Sequence, residues 1–243
     1  MYRRIVRLPT ADDVSTAVAD QLLQKILELQ ETQEAVHICL TGGATANSMY
    51  EQFAELAANA DLDASKLHFW WGDERFVSAT DPERHSLQAI ERLARTIPIN
   101  SAHIHMMAAM DGRKDAHESA SAYQSELGDT VFDIVLLGVG PSGHCASIFP
   151  DHPSFEPTSR LAIGVENAPI PPEDRITLTF TALNRSRYVW LFATGEVKSY
   201  VTARALAGDE TLPVSNVHGE QGTIWFIDDA ASKELPEQYA CDF

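Results

Sequence analysis

Among the ionisable residues of this chain, His144 has the neighbours most suited to chemistry. It follows Gly138-Val-Gly-Pro-Ser-Gly143, which in turn follows the continuous apolar run Phe132–Leu137. A glycine loop exposes backbone donors, and an imidazole that titrates near neutrality can take a proton from water. That combination suits general-base chemistry beside an anion site. The loop also fits G-x-G-x-x-G after a strand, the pattern of a dinucleotide site. Its internal proline, its mid-chain place and the histidine that follows argue against that reading, as does a helix that is only brief, ending near Pro150. No cofactor is expected.

Other segments join it. Thr41-Gly-Gly-Ala-Thr45 is a strand-to-helix turn whose glycines let amides approach an anion at a helix start, although a tight turn alone would use the same residues. Asp73-Glu-Arg75 sets opposite charges at a strand end, as a site or as a surface pair. Arg175 and Lys198 each stand beside an expected strand and are the best candidates for a phosphate clamp, with the arginine as a fork and the lysine as a point charge. His103-x-His105, with His37 and His68, invites a metal reading, but no third ligand has a recognisable spacing, so no metal is expected. There is no G-x-S-x-G elbow to support a serine hydrolase.

The elements that must position these residues follow from patterning. Expected strands are Tyr2–Leu8, Val36–Leu40, Leu67–Trp71, Phe132–Leu137, Arg160–Val165, Ile176–Phe180, Tyr188–Ala193 and Thr223–Ile227. Between them lie helical stretches. The first begins at the capping run Thr10–Asp13 and buries Val14, Val18, Leu22, Ile26 and Leu29. Others cover about 45–59, 82–95, 114–127 and 199–206. This alternation predicts an α/β fold: one doubly wound, mostly parallel sheet with helices on both faces, in a single domain over 1–243. Such sheets bind ligands beyond the carboxyl ends of their strands. Segments 41–45, 72–75, 138–144 and 194–198 all follow expected strands, so they should converge on one edge.

Bulk composition narrows the partners. The formal net charge of −17 disfavours nucleic acid and anionic membranes, while a small phosphate can still be held by local donors. No apolar run approaches membrane-spanning length, and the start of the chain lacks an apolar signal core. Cys39, Cys145 and Cys241 are too scattered for a disulfide framework, which suits a reducing cytoplasm. A monomer or weak homodimer is expected.

Five blocks, in order, resemble the 6-phosphogluconolactonases, within the wider group that includes glucosamine-6-phosphate deaminase/isomerases. They are Leu40-Thr-Gly-Gly-Ala-Thr45, Trp71-Gly-Asp-Glu-Arg-Phe-Val77 continued by Asp81-Pro-Glu-Arg84, Asp133 through Pro150, Arg175-Ile-Thr-Leu-Thr179 and Gly195-Glu-Val-Lys198. The D-E-R block and the S-x-F-P ending favour the lactonase branch. The resemblance implies a Rossmann-like fold of the sugar-phosphate isomerase/lactonase type. It implies hydrolysis of a sugar-phosphate lactone without metal or cofactor, in the oxidative branch of the pentose phosphate pathway. His144 would be the general base, able to return its proton to the ring oxygen. Gly42, Gly43, Ala44, Thr45, Arg175 and Lys198 would surround the substrate phosphate, Asp73 and Arg75 would line the pocket, and Gly140, Ser142 and Gly143 would lie beside the reacting carbonyl. Amides of the 138–143 loop would face the oxyanion.

This chain departs from the family pattern at several positions. Ser142 stands where aspartate is usual before the glycine and histidine, Ala44 and Ala46 flank Thr45 where serine and proline are usual, and His85 replaces an asparagine. A hydroxyl orients a histidine less firmly than a carboxylate, which leaves room for lowered activity, an altered substrate, a deaminase/isomerase or a non-catalytic sugar-phosphate binder.

Overall fold

A computed structural model describes residues 2–236. Its strands are β1 (Arg3–Leu8), β2 (Val36–Leu40), β3 (Leu67–Trp71), β4 (Asp73–Arg75), β5 (Phe132–Gly138), β6 (Ala162–Val165), β7 (Arg175–Leu178), β8 (Ser186–Ala193) and β9 (Gly222–Asp228). The α-helices are α1 (Ala11–Gln30), α2 (Ala44–Ala57), α3 (His85–Leu93), α4 (Ala116–Leu127), α5 (Phe180–Leu183) and α6 (Ser199–Leu206). Thr10 starts α1 with a reciprocal cap. Its hydroxyl accepts from the Asp13 amide at 3.2 Å, and the Asp13 carboxylate accepts from the Thr10 amide at 3.0 Å.

Six strands form a wholly parallel sheet in the order β1-β9-β8-β5-β2-β3. Strand β5 is apolar almost throughout because both its faces are covered. Ile134 and Leu136 pack with Val14, Val18, Leu22 and Ile26 of α1, with Phe53 of α2 and with Leu93 of α3. Val135 and Leu137 point the other way, into a core with Ala120 and Tyr123 of α4 and Ala205 of α6. Helices therefore cover both faces, as the alternation of side chains along a strand requires.

Connections run outward from β2 to β3 in one direction, and from β5 through β8 to β9 in the other. The order reverses between β2 and β5, which are hydrogen-bonded neighbours. Ligand sites of doubly wound sheets lie at such a reversal. Here the reversal carries Thr41–Gly43 and the 138–144 loop.

The expectation of one sheet needs correction. The strands expected at Arg160–Val165 and Ile176–Phe180 lie outside the parallel sheet. They are β6 and β7 of a second, antiparallel sheet in the order β4-β7-β6. Residues 166–174 are too few for a parallel crossover, so the chain turns back on itself. Strand β7 stops at Leu178 because Thr179 begins the short helix α5. Asp73–Arg75, expected at the end of the preceding strand, is a separate strand paired to Thr177–Arg175. The helix expected after His144 is absent. A turn takes its place, with positive φ at Ala146 and a bridge between Cys145 and Ile148. No helix among the described residues is long and apolar enough to cross a membrane.

Candidate active site

All four strand-end segments meet around one cavity of about 190 Å³, lined by residues that include Gly42, Gly43, Asp73, Arg75, His85, Gly140, His144, Arg175 and Lys198. The first pair comes from the β2–α2 turn, the acid and Arg75 from β4, and Arg175 from β7. Lys198 caps α6 beyond the end of β8. The small sheet thus acts as a wall that brings β4 and β7 to the mouth of the large one.

His144 is held from several sides. Its Nδ1 lies 2.9 Å from the Ser142 hydroxyl, and its ring packs 4.7 Å, centre to centre, from Phe149. The loop closes through the Gly140 amide, which donates to the His144 carbonyl at 2.8 Å. The ring also rests on Gly140, where an added Cβ would sit only 2.0 Å from it. Glycine is needed at 140 for this stacking. Burial lowers the His144 pKa to about 4, and Arg175 and Lys198 act in the same sense, against Asp73. The ring is therefore neutral at pH 7, and its Nε2 has no partner among the described residues.

Three cations converge on the cavity. Arg75 and Arg175 stand directly opposite each other across the β4–β7 ladder. Like charges so placed repel unless an anion lies between or beside them. Arg175 is 5% exposed. Its Nε and Nη2 donate to the carbonyls of Pro172, Ile170 and Pro171 at 2.9, 2.8 and 3.1 Å, so the proline-rich loop sets its direction. Burial lowers the Arg175 pKa, with Asp73 opposing and Arg75 reinforcing the effect. Arg75 donates to the Glu83 carbonyl, while its buried Nε has no partner among the described residues. Lys198 is depressed by burial and partly restored by Asp228.

Asp73 accepts from the Ser147 hydroxyl at 2.6 Å and faces His85 Nδ1 at 3.4 Å. Burial disfavours its charge, yet His85, Ser147 and Arg175 together hold its carboxyl below the ordinary carboxylate range. Glu74, the next residue, points away from the cavity. Its carboxylate accepts from the amides of His85 and Ser86 at 2.8 and 2.9 Å and so caps α3.

Not every expected residue reaches the cavity. Thr45 uses its hydroxyl to bridge Thr194 at 2.8 Å, tying two strand-end segments together. Ala44 opens α2, whose first-turn amides lack helical partners by position. Ser142 reaches the site through His144 rather than by lining it. Gly143 donates to Gly140 and accepts from the Val214 amide. The expected oxyanion role of the 138–143 amides is narrowed accordingly, because Val139, Gly140 and Gly143 already donate within the fold. Gly42 has a second reason to be glycine. An added Cβ there would meet the His85 ring at 1.9 Å.

His85 also lines the cavity, which its place in the chain does not reveal. The link is Glu74: by capping α3 it pulls the first residue of that helix over Gly42. The histidines at 37, 68, 103 and 105 form a separate stack, with His68 and His103 rings 4.0 Å apart. No group of three or more His, Cys, Asp or Glu among the described residues is arranged to hold a metal. Cys39 and Cys145 are buried free thiols, pushed up by burial. Cys241 lies outside the described residues.

Comparison with known proteins agrees with this architecture. A family model described as glucosamine-6-phosphate isomerases/6-phosphogluconolactonase matches residues 9–225. A 6-phosphogluconolactonase of Streptomyces coelicolor is 39% identical over 237 residues, covering 92% of this chain and 91% of that protein. One from Mycobacterium tuberculosis is 35% identical, covering 97% of this chain and all of its own length. The crystal structure of a 6-phosphogluconolactonase from Thermotoga maritima superposes with a TM-score of 0.80 at 27% identity, covering 93% of this chain and 100% of that one. A monomeric glucosamine-6-phosphate deaminase shares the fold, with a TM-score of 0.78 at 20% identity over 94% of this chain and 98% of its own. By sequence and by fold, this chain belongs to the family of glucosamine-6-phosphate isomerases and 6-phosphogluconolactonases.

Proposed function

We propose that this protein hydrolyses 6-phospho-D-glucono-1,5-lactone to 6-phosphogluconate, the lactone-opening step of the pentose phosphate pathway. One observation carries the reading: a neutral histidine with a free Nε2 opens on a cavity where Arg75, Arg175 and Lys198 converge, in a chain of net charge −17. Cations so scarce are not gathered around a buried base without an anionic ligand to hold.

A δ-lactone is an activated ester. His144 Nε2 takes a proton from water as the water oxygen attacks the C1 carbonyl; the C1–ring oxygen bond then breaks, its electron pair stays on the ring oxygen, and that oxygen takes up a proton to become a hydroxyl. Ser142 fixes the ring through Nδ1. The cations and the start of α2 bind the remote phosphate, and that binding orients the carbonyl toward the water. Remote binding of this kind lowers the barrier by restricting motion before reaction. The lining residues all come from one chain, which fits a monomer or weak homodimer as the active unit. The free thiols favour a cytoplasmic setting.

The test is substrate choice. Purified protein is given freshly made lactone in a pH-stat, and separately glucosamine 6-phosphate with ammonia detection. Acid release well above the spontaneous rate, with no ammonia, is expected. Ammonia release without lactone opening would overturn the reading.

A further inference from the structure

His85 and His144 present the same arrangement to the one cavity. Each ring lies against a glycine, Gly42 and Gly140 respectively. Each Nδ1 faces a side-chain oxygen, Asp73 Oδ1 at 3.4 Å and the Ser142 hydroxyl at 2.9 Å. Neither Nε2 has a partner among the described residues, and neither is a sealed, unpaired atom.

Their partners differ in charge. His144 has a hydroxyl as its direct partner, with Asp73 opposing two nearby cations. His85 Nδ1 has only acceptors, since the Asp73 backbone carbonyl also lies 3.4 Å away. Nδ1 therefore carries a proton, and the Asp73 carboxylate stands beside the ring as its acceptor, which leaves Nε2 directed at the cavity. Other charges around it are Glu74, whose carboxylate holds the His85 amide, and Arg75 and Arg175 in the cavity wall. One histidine backed by a hydroxyl and one backed by a carboxylate, opening on the same cavity, suit a base and an acid.

We propose that His85, backed by Asp73, is the general acid that protonates the ring oxygen as the lactone opens. The inference rests on the lactonase reading above. In the balanced step, water adds to C1 and loses a proton to His144. The C1–ring oxygen bond breaks, its electron pair stays on oxygen, and His85 Nε2 supplies the proton that makes the hydroxyl. The new carboxylic acid and His144 each release a proton to solvent and His85 takes one back, for a net yield of carboxylate and one proton. This replaces the expectation that His144 serves both steps.

The experiment compares wild type with His85→Asn, His85→Gln and Asp73→Asn, measuring kcat and KM from pH 5 to 9 and 6-phosphogluconate binding by calorimetry. Both His85 variants should lose kcat by about 100-fold with KM nearly unchanged, the usual scale for a lost proton donor. Asp73→Asn should lower kcat as well, because Nδ1 then faces an amide in place of a carboxylate. Variants that bind product normally and keep wild-type kcat, or a loss confined to KM, would overturn the assignment. An inert wild type would sink the lactonase reading itself, which separates the two failures.

Discussion

His144 is a base whose strength is set by what surrounds it. Burial and two cations bring its pKa to about 4, so the catalytic form is populated through the neutral range. The acid limb of kcat/KM, which reports the free enzyme, should therefore fall near pH 4, with a plateau above it. A carboxylate in place of the Ser142 hydroxyl would favour the imidazolium. Ser142→Asp should accordingly shift that limb to higher pH, while Ser142→Ala should leave it near pH 4 and lower kcat; a pH-rate series on the three proteins decides it. His144 was legible in the chain because it follows a glycine loop at a strand end. His85 was not, because its approach to the cavity depends on a carboxylate eleven residues earlier and on Gly42 leaving room for the ring. The use of loop amides within the fold was equally hidden, since hydrogen-bond partners of a turn are set by its closed geometry.

The elements show why Asp73-Glu-Arg75 is built as it is. One strand sends Asp73 and Arg75 to the cavity and Glu74 to the start of α3. Glu74 is fully buried and lies 3.7 Å from the buried Arg84. Glu74→Gln would leave that guanidinium without its counter-charge, and breaking a buried pair from one side costs about 3–5 kcal/mol. Urea unfolding should show a loss of that order, with kcat falling as His85 loses its anchor; a change below about 1 kcal/mol would mean that the cap is not needed. Most strands and helices could be placed from apolar runs and periodicity, since β2 and β3 match their expected bounds. The second sheet could not. Strands β6 and β7 read like any other buried strands, and their antiparallel pairing comes from a connection too short to cross the sheet.

Across the whole molecule, stability should depend on acidity in a defined direction. His68, in its histidine stack, has its pKa lowered to about 4 by burial and by His37, His103 and His105, and His37 is lowered chiefly by burial. With His144 these groups bind protons more weakly folded than unfolded. The unfolded chain, titrating near 6.5, takes up protons first, so stability falls as pH drops from about 6.5 toward 4 and is regained above that window. Melting temperatures across pH 4–7 should rise with pH, and His68→Asn should flatten the slope; a slope unchanged in that variant would remove the stack from the explanation. The convergence of four strand ends was legible from alternation alone, because a parallel sheet places all its carboxyl ends on one edge. The proposed chemistry depends most on His144 acting as the base in that cavity. The most direct measurement is acid release from fresh 6-phosphogluconolactone by wild type and by His144→Ala, each corrected for spontaneous opening. Wild type should exceed the background clearly, and the variant should lose about 100-fold or more. Turnover by His144→Ala equal to that of wild type would contradict the account.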